Sequence, residues 1–171
     1  MEQLQQLAEL IRQRNRIDDA IADLIGRPAE KGHISEYIAA IIFDIELCSS
    51  KTNPGADGYF RSGALAGRSV EIKYLALDEG GLLYTSTPPK YLADFYLVLT
   101  GPRASAASSK GRKRPFVIDY VYLFDQSTIV QSPDPPRASW DAAEIYPQPR
   151  NPLLTLTEQQ REMLRLFGSV G

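Results

Sequence analysis

Three charged residues in the segment "GADGYFRSGALAGRSVEIKY" (residues 55–74) have types and spacing that suit phosphate chemistry. Side chains two residues apart in a strand point to the same face, so Glu71 and Lys73 share one face, opposite the apolar residues of their strand. Asp57 stands at the start of the preceding strand of a predicted hairpin, from which it can reach that face. The pattern therefore predicts two carboxylates and an ammonium group close together.

Two neighbouring carboxylates repel each other, and this repulsion raises a pKa unless a cation lies between them. Mg²⁺ favours one or two carboxylates together with water and substrate phosphate. A nearby lysine can orient a metal-bound water and stabilise charge on the phosphate, which are the effects that phosphodiester hydrolysis needs. Asp57 and Glu71 are thus candidate ligands of Mg²⁺ or Mn²⁺, and Lys73 is a candidate catalytic residue.

A structural interpretation of the same residues stays open. Glu71 and Lys73 can pair across a wet sheet face, where such a pair contributes little to stability. Asp57 can cap its own turn.

A predicted helix over residues 33–47, "HISEYIAAIIFDIEL", positions a third acid. Glu36 lies beside its apolar face, next to Ala39 and Ala40, whose small side chains let the helix approach a sheet. Glu36 can also be an ordinary first-turn acid that the helix dipole favours. The apolar face predicted to be buried consists of Ile34, Tyr37, Ile38, Ile41, Ile42 and Ile45.

Strands are predicted at 57–61 and 68–76, joined by "SGALAG", in which Gly63 and Gly67 suit a tight turn. The apolar run "DFYLVLTG" (94–101) predicts a strand covered on both faces. The other predictions are a short helix around 88–93, a strand over 116–125, a proline-rich surface segment over 131–153 with Trp140 as a packing anchor, and a helix over 157–168 with a Thr157–Gln160 capping box. The order indicates an α/β fold on a small mixed sheet.

The N-terminal residues 3–26 predict one or two helices, ended by Gly26 and Pro28. Arg14 and Asp18 interrupt their apolar stripe, which argues against a long coiled coil and favours packing on the main domain or on a second copy. We interpret 1–28 as a helical extension and 29–171 as one domain. The stripe consists of Leu4, Leu7, Ile11, Ile21, Leu24 and Ile25.

The formal net charge of −2 argues against a protein that coats nucleic acid indiscriminately. Two basic clusters can contact phosphate or simply be solvated: Arg12, Arg14 and Arg16, and Lys110, Arg112, Lys113 and Arg114.

The single cysteine, Cys48, excludes an internal disulfide and fits a reducing compartment. No apolar run is long enough to cross a membrane, and the N-terminus is too polar for a signal peptide, so we expect a cytoplasmic protein without membrane contact. His33, the only histidine, precedes the predicted helix and suits a capping or surface role, and zinc is not expected.

Glu36 on a helix, Asp57 after a proline-glycine turn, and Glu71-Ile72-Lys73 on the next strand together resemble the PD-(D/E)XK nuclease superfamily, which includes restriction endonucleases and archaeal-type Holliday-junction resolvases. Residues 33–101 run in the family order of helix, three strands, helix and strand. The blocks "GHISEYIAA" and "PGADGYF" also resemble a group of uncharacterised bacterial proteins.

The resemblance implies a restriction-endonuclease-like core in which Asp57 and Glu71 bind the metal, Lys73 is catalytic and Glu36 supports the metal or its water. It also implies a DNA endonuclease, with a restriction or defence role as an analogy. A homodimer is expected, because cutting both strands usually takes two sites. The alternatives are a catalytically silent domain of this fold that binds nucleic acid or a partner protein, and a scaffolding homodimer joined through the N-terminal stripe.

Overall fold

The computed structural model describes residues 2–49, 55–75, 92–101, 116–126 and 155–168. Within these ranges the chain forms three α-helices around a five-stranded mixed sheet, which confirms the predicted α/β class. The elements are α1 (Glu2–Ile25), α2 (Lys31–Phe43), β1 (Ile45–Leu47), β2 (Gly58–Phe60), a 3₁₀ turn (Gly63–Leu65), β3 (Ser69–Leu75), β4 (Phe95–Thr100), β5 (Tyr120–Asp125) and α3 (Glu158–Arg165).

The strands lie in the sheet in chain order, β1 to β5. Neighbouring strands are antiparallel except β3 and β4, which are parallel. A parallel pair requires the chain to cross over between its strands. Residues 76–91, between the two strands, lie outside the described residues. Most of the helix predicted around 88–93 falls in this range, and the last two residues of that prediction, 92 and 93, are not helical.

Helix α2 packs on one face of the sheet, and α3 lies beside it. The capping box of Thr157 and Gln160 forms as predicted, and Gln160 Nε2 also donates to the carbonyl of Ile42 at 3.0 Å. This bond ties the start of α3 to α2. The core combines side chains from α2 and all five strands with Ile118: Ile38, Ala39, Ile42, Phe43, Ile45, Phe60, Val70, Ile72, Phe95, Leu97, Leu99, Ile118 and Leu123.

Strand β4 is covered on both faces, as its unbroken apolar sequence predicts. Its six side chains are all buried, including Tyr96 and Thr100, which point away from the α2 face. The strand therefore forms the centre of the fold, and β3 lies directly beside it.

The predicted helix 33–47 is wrong at its C-terminal end. Helix α2 stops at Phe43, because Asp44 adopts a left-handed conformation (φ 53°) that an aspartate tolerates. Arg61 of the following hairpin holds this turn: its Nε donates to Asp44 Oδ1 at 2.7 Å, and its backbone N–H donates to the Asp44 carbonyl. Residues 45–47 then form strand β1.

Other predictions differ in detail. Ile41, predicted to be buried, is 61% exposed, so the buried face of α2 is narrower than its sequence suggests. The hairpin strands are confirmed, and Gly63 and Gly67 have positive φ angles in the turn between them. Strand β5 begins only at Tyr120, and the proline-rich segment 131–153 with Trp140 lies outside the described residues.

Helix α1 is a single helix in which no residue is buried. Its arginines form exposed ion pairs within the helix, Arg12 and Arg16 with Glu9 and Arg14 with Asp18, which favours the solvated interpretation of this cluster. None of the helices in the described residues is long and apolar enough to cross a membrane.

Candidate functional site

Asp57 lies at the point where β2 begins alongside β3. Gly58 pairs with Val70, and one further step in this antiparallel register brings Asp57 opposite Glu71. The Asp57 backbone N–H donates to the Val70 carbonyl at 2.9 Å, which holds the residue beside β3. Gly58 is needed here, because a Cβ atom would lie 2.5 Å from the carbonyl oxygen of Glu46 on β1.

The Asp57 carboxylate replaces a missing strand partner. The N–H of Ile72 extends beyond the paired part of β2, and it donates to Asp57 Oδ2 at 2.7 Å. The turn interpretation, in which Asp57 caps its own backbone, is therefore wrong. This bond fixes the carboxylate against β3 and leaves Oδ1 without a hydrogen bond from the residues that the structure describes.

Glu71 and Lys73 share a face of β3, as predicted, and form an ion pair. The side chain of Glu71 is 15% exposed and that of Lys73 is 34% exposed. Such shielding differs from a wet sheet face, where exposed pairs contribute little. The pair therefore sits in a partly desolvated environment, in which its charges act strongly on their neighbours.

Glu36 approaches the same region from α2, and it pairs with an arginine that no sequence pattern predicts. Arg27 Nη1 lies 2.5 Å from Glu36 Oε2, and Arg27 Nη2 donates to the Cys48 carbonyl at 3.0 Å. The Glu36 side chain is 15% exposed. Arg27 lies between Gly26 and Pro28, which in the sequence indicate only the end of a helix, so no sequence pattern identifies Arg27 as a functional residue.

The electrostatics of Asp57 show that these acids act on one another. Its pKa is raised from 3.8 to about 6. Burial is the largest cause, and the charge of Glu71 comes next; Glu36 adds to the effect, while the bond from Ile72 and the charge of Lys73 oppose it. The structure thus brings together all four residues that the sequence singled out.

The other candidate residues do not join this site. His33 lies inside the first turn of α2 rather than before it, and its Nδ1 donates to the Pro28 carbonyl at 3.0 Å. The basic cluster Lys110, Arg112, Lys113 and Arg114 lies outside the described residues.

The oxygen atoms of the Asp57 and Glu71 carboxylates are ligands of the kind that a hard divalent cation prefers. Burial first, and the charges of Glu71 and Glu36 after it, raise the pKa of Asp57, and a bound cation would oppose these effects by stabilising the carboxylate. Mg²⁺ needs only one or two such ligands beside water and substrate. No cluster of three or more His, Cys, Asp or Glu side chains in the described ranges is arranged to hold a metal ion.

Comparisons with known proteins add no assignment: the chain matches no family model, and a search of the curated proteins finds no match.

Proposed function

We propose that this protein is a nuclease that hydrolyses phosphodiester bonds of DNA with Mg²⁺ or Mn²⁺. The observation that carries the proposal is Asp57 facing Glu71 where β2 meets β3, with a pKa of about 6. The order of the elements supports a restriction-endonuclease-like core, because α2, the three strands β1 to β3 and then β4 follow one another in the family order. The residues between β3 and β4, where the family has its second helix, lie outside the described ranges.

In this proposal Asp57 and Glu71 hold the cation, which would supply Lewis-acid activation of water and neutralise charge at the scissile phosphate. The bond from Ile72 orients Asp57, so its other oxygen is directed by the backbone of β3 rather than by a flexible loop. Glu36, held by Arg27, adds negative potential without lying on the strand itself.

Lys73 has two partners in the proposed reaction. Without substrate its ammonium group neutralises Glu71. When a phosphate enters beside the carboxylates, the same group can donate to a phosphate oxygen and stabilise the charge that develops there. The flexible lysine stem permits this exchange, which a rigid guanidinium would restrict.

The test is titration calorimetry with Mg²⁺ and with Mn²⁺ on the wild type, on Asp57→Ala and on Asp94→Asn. Asp94 is a matched control, because it also precedes a strand and bonds to β3. We expect the wild type and Asp94→Asn to bind the cation and Asp57→Ala to lose it. Parallel incubations with plasmid and single-stranded DNA should show cation-dependent cleavage only where binding persists.

A different pattern would contradict the proposal. A wild type that binds no divalent cation even with DNA present would make the carboxylates a structural cluster. Cleavage by Asp57→Ala equal to that of the wild type would place the activity elsewhere or in a contaminant.

A catalytically silent domain of the same fold is the second candidate. The ion pairs Arg27–Glu36 and Lys73–Glu71 favour it, because both acids are already neutralised without a metal. This candidate predicts DNA or protein binding that is indifferent to divalent cations. A gel-shift titration with and without EDTA, read beside the calorimetry, separates the two functions.

The proposal includes a cytoplasmic location and phosphate contacts by the basic cluster at 110–114. Neutralising its four charges should flatten the salt dependence of DNA binding, and an unchanged slope would count against these contacts.

A further inference from the structure

Helix α1 carries an apolar stripe, interrupted near its middle by Arg14 and Asp18, that the described residues leave largely uncovered. Helices in proteins gain most of their stability from packing an apolar face, and large exposed patches mark interaction surfaces. The leucine and isoleucine residues of α1 that are about half exposed or more are Leu4 (66%), Leu7 (51%), Leu10 (55%), Ile11 (49%), Ile17 (60%) and Leu24 (72%), and of these Leu10 and Ile17 lie beside the stripe.

Two opposite charges lie within this stripe. Positions 7, 11, 14, 18 and 21 follow one another in steps of four and three residues, so Arg14 and Asp18 lie on the same side of the helix as the apolar stripe. Arg14 Nε lies 3.2 Å from Asp18 Oδ2 in the same helix. The other charged residues of the helix, among them Arg12 and Arg16, lie on the opposite side. The stripe therefore carries one positive and one negative charge near its middle.

We propose that α1 pairs with α1 of a second copy in an antiparallel arrangement. When Arg14 of one copy lies opposite Asp18 of the other, the two-fold axis repeats the same pairing on its other side. This register also sets Ile11 opposite Ile21, and Leu7 opposite the last residue of the helix, Ile25. Parallel helices in register would instead place Arg14 against Arg14 and Asp18 against Asp18, so charge complementarity selects the antiparallel orientation.

The residues on either side of the paired stripes also match one another in this register. On one side Leu10 meets Leu24 of the other copy and Ile17 meets its own counterpart at the axis, which covers three strongly exposed side chains. On the other side the small residues Ala8 and Ala22 allow the helices to approach closely. Arg14 and Asp18 thus set the direction and register of a short apolar pairing.

Sedimentation equilibrium of the full chain tests this proposal without nucleic acid, so its outcome is independent of the proposed function. We expect a wild-type dimer, weakened by roughly tenfold or more in Arg14→Asp and in Asp18→Arg, because each change turns two attractive pairs into repulsive ones. The double exchange Arg14→Asp with Asp18→Arg should restore the dimer. Arg12→Asp, on the opposite side of the helix, is the matched control and should dimerise like the wild type.

Cysteine cross-linking in a Cys48→Ser background tests the orientation. Leu7→Cys combined with Ile25→Cys should give covalent dimers on oxidation, and Leu7→Cys alone should not. The two positions are about 27 Å apart in one helix, so a bond between them within one chain is excluded. A monomeric wild type at high concentration, failure of the double exchange to restore dimers, or equal cross-linking by Leu7→Cys alone would each overturn the proposal.

Discussion

Two aspartates flank β3 in nearly the same way, and they differ in charge behaviour. Asp57 and Asp94 each follow an alanine and precede a strand with tyrosine two positions on. Each carboxylate also accepts a backbone N–H of β3: Asp57 from Ile72 at 2.7 Å, and Asp94 from Ser69 at 2.9 Å. The local sequence and the local bond are alike on both sides of the strand.

Their surroundings shift the two pKa values in opposite directions. Burial raises the pKa of Asp94, but bonds from the backbone and hydroxyl of Ser69 and the nearby Arg68 outweigh it and leave the pKa lowered. Around Asp57 burial and two neighbouring acids prevail, and the pKa rises to about 6. Asp94 is thus stabilised as an anion, whereas Asp57 holds its charge at a cost that a cation would remove. The comparison separates a structural aspartate from a candidate ligand.

The largest effect is expected from the lysine on the Asp57 side. Lys73→Ala should lower cation-dependent cleavage by roughly 10²–10³-fold, because it removes a charge aimed at the phosphate. Cation affinity should stay or increase, since a competing positive charge has left the carboxylates. Lys31→Ala, which removes a lysine 5.9 Å from the ring centre of Tyr74 on the same strand, is the control and should keep its activity. If Lys73→Ala loses both cation binding and cleavage, this role of Lys73 is contradicted.

The pH dependence of stability should separate the two aspartates by sign. The pKa of Asp57 is raised in the folded state, so its contribution to stability is present below about pH 4 and lost as the pH rises through about 6. Asp57→Asn keeps the acceptor for Ile72 without the charge. Its free energy of unfolding relative to the wild type should therefore increase by up to about 3 kcal/mol from pH 4 to pH 7.5 in the absence of divalent cations. Urea unfolding at both pH values measures the difference.

Asp94→Asn should show the opposite slope. Because the pKa of Asp94 is lowered, its stabilisation is present above the ordinary value and is lost as the pH falls through the folded pKa. The variant should therefore be less stable than the wild type at pH 7, by about 1–2 kcal/mol from weakened bonds to Ser69 and Arg68, and should converge with it in acid. Parallel slopes for Asp57→Asn and Asp94→Asn would remove the distinction between the two sites.

Arg27 offers a smaller test of the acids around Asp57. Arg27→Met leaves the partly buried Glu36 without its partner. We expect the free energy of unfolding to fall by about 1–2 kcal/mol, which is less than the loss for a fully buried pair. Mg²⁺ should recover part of this loss, because the added negative potential lies close to the proposed cation. The matched change Arg68→Met beside Asp94, where the arginine is 53% exposed, should cost less and respond to no cation. Thermal unfolding with and without Mg²⁺ measures both.

The sequence predicts much of this site because strand alternation and hairpin geometry place Glu71, Lys73 and Asp57 together. It also predicts β4, whose continuous apolar run needs cover on both faces. It does not predict Arg27, because the pairing with Glu36 depends on how the linker after α1 folds back. Nor does it predict the end of α2 at Asp44, which Arg61 holds from the next hairpin. It does not distinguish Asp57 from Asp94 either, since their environments come from other elements.

Titration of the Asp57 carboxyl carbon by ¹³C NMR, with and without Mg²⁺ and with Asp94 as an internal reference, tests whether Asp57 belongs to a cation site. We expect a pKa of about 6 for Asp57 without the cation, a clear fall when Mg²⁺ is added, and a lowered pKa for Asp94 that Mg²⁺ leaves unchanged. An Asp57 that titrates near 3.8, or whose raised pKa does not respond to Mg²⁺, would contradict the cation site on which the proposed function depends.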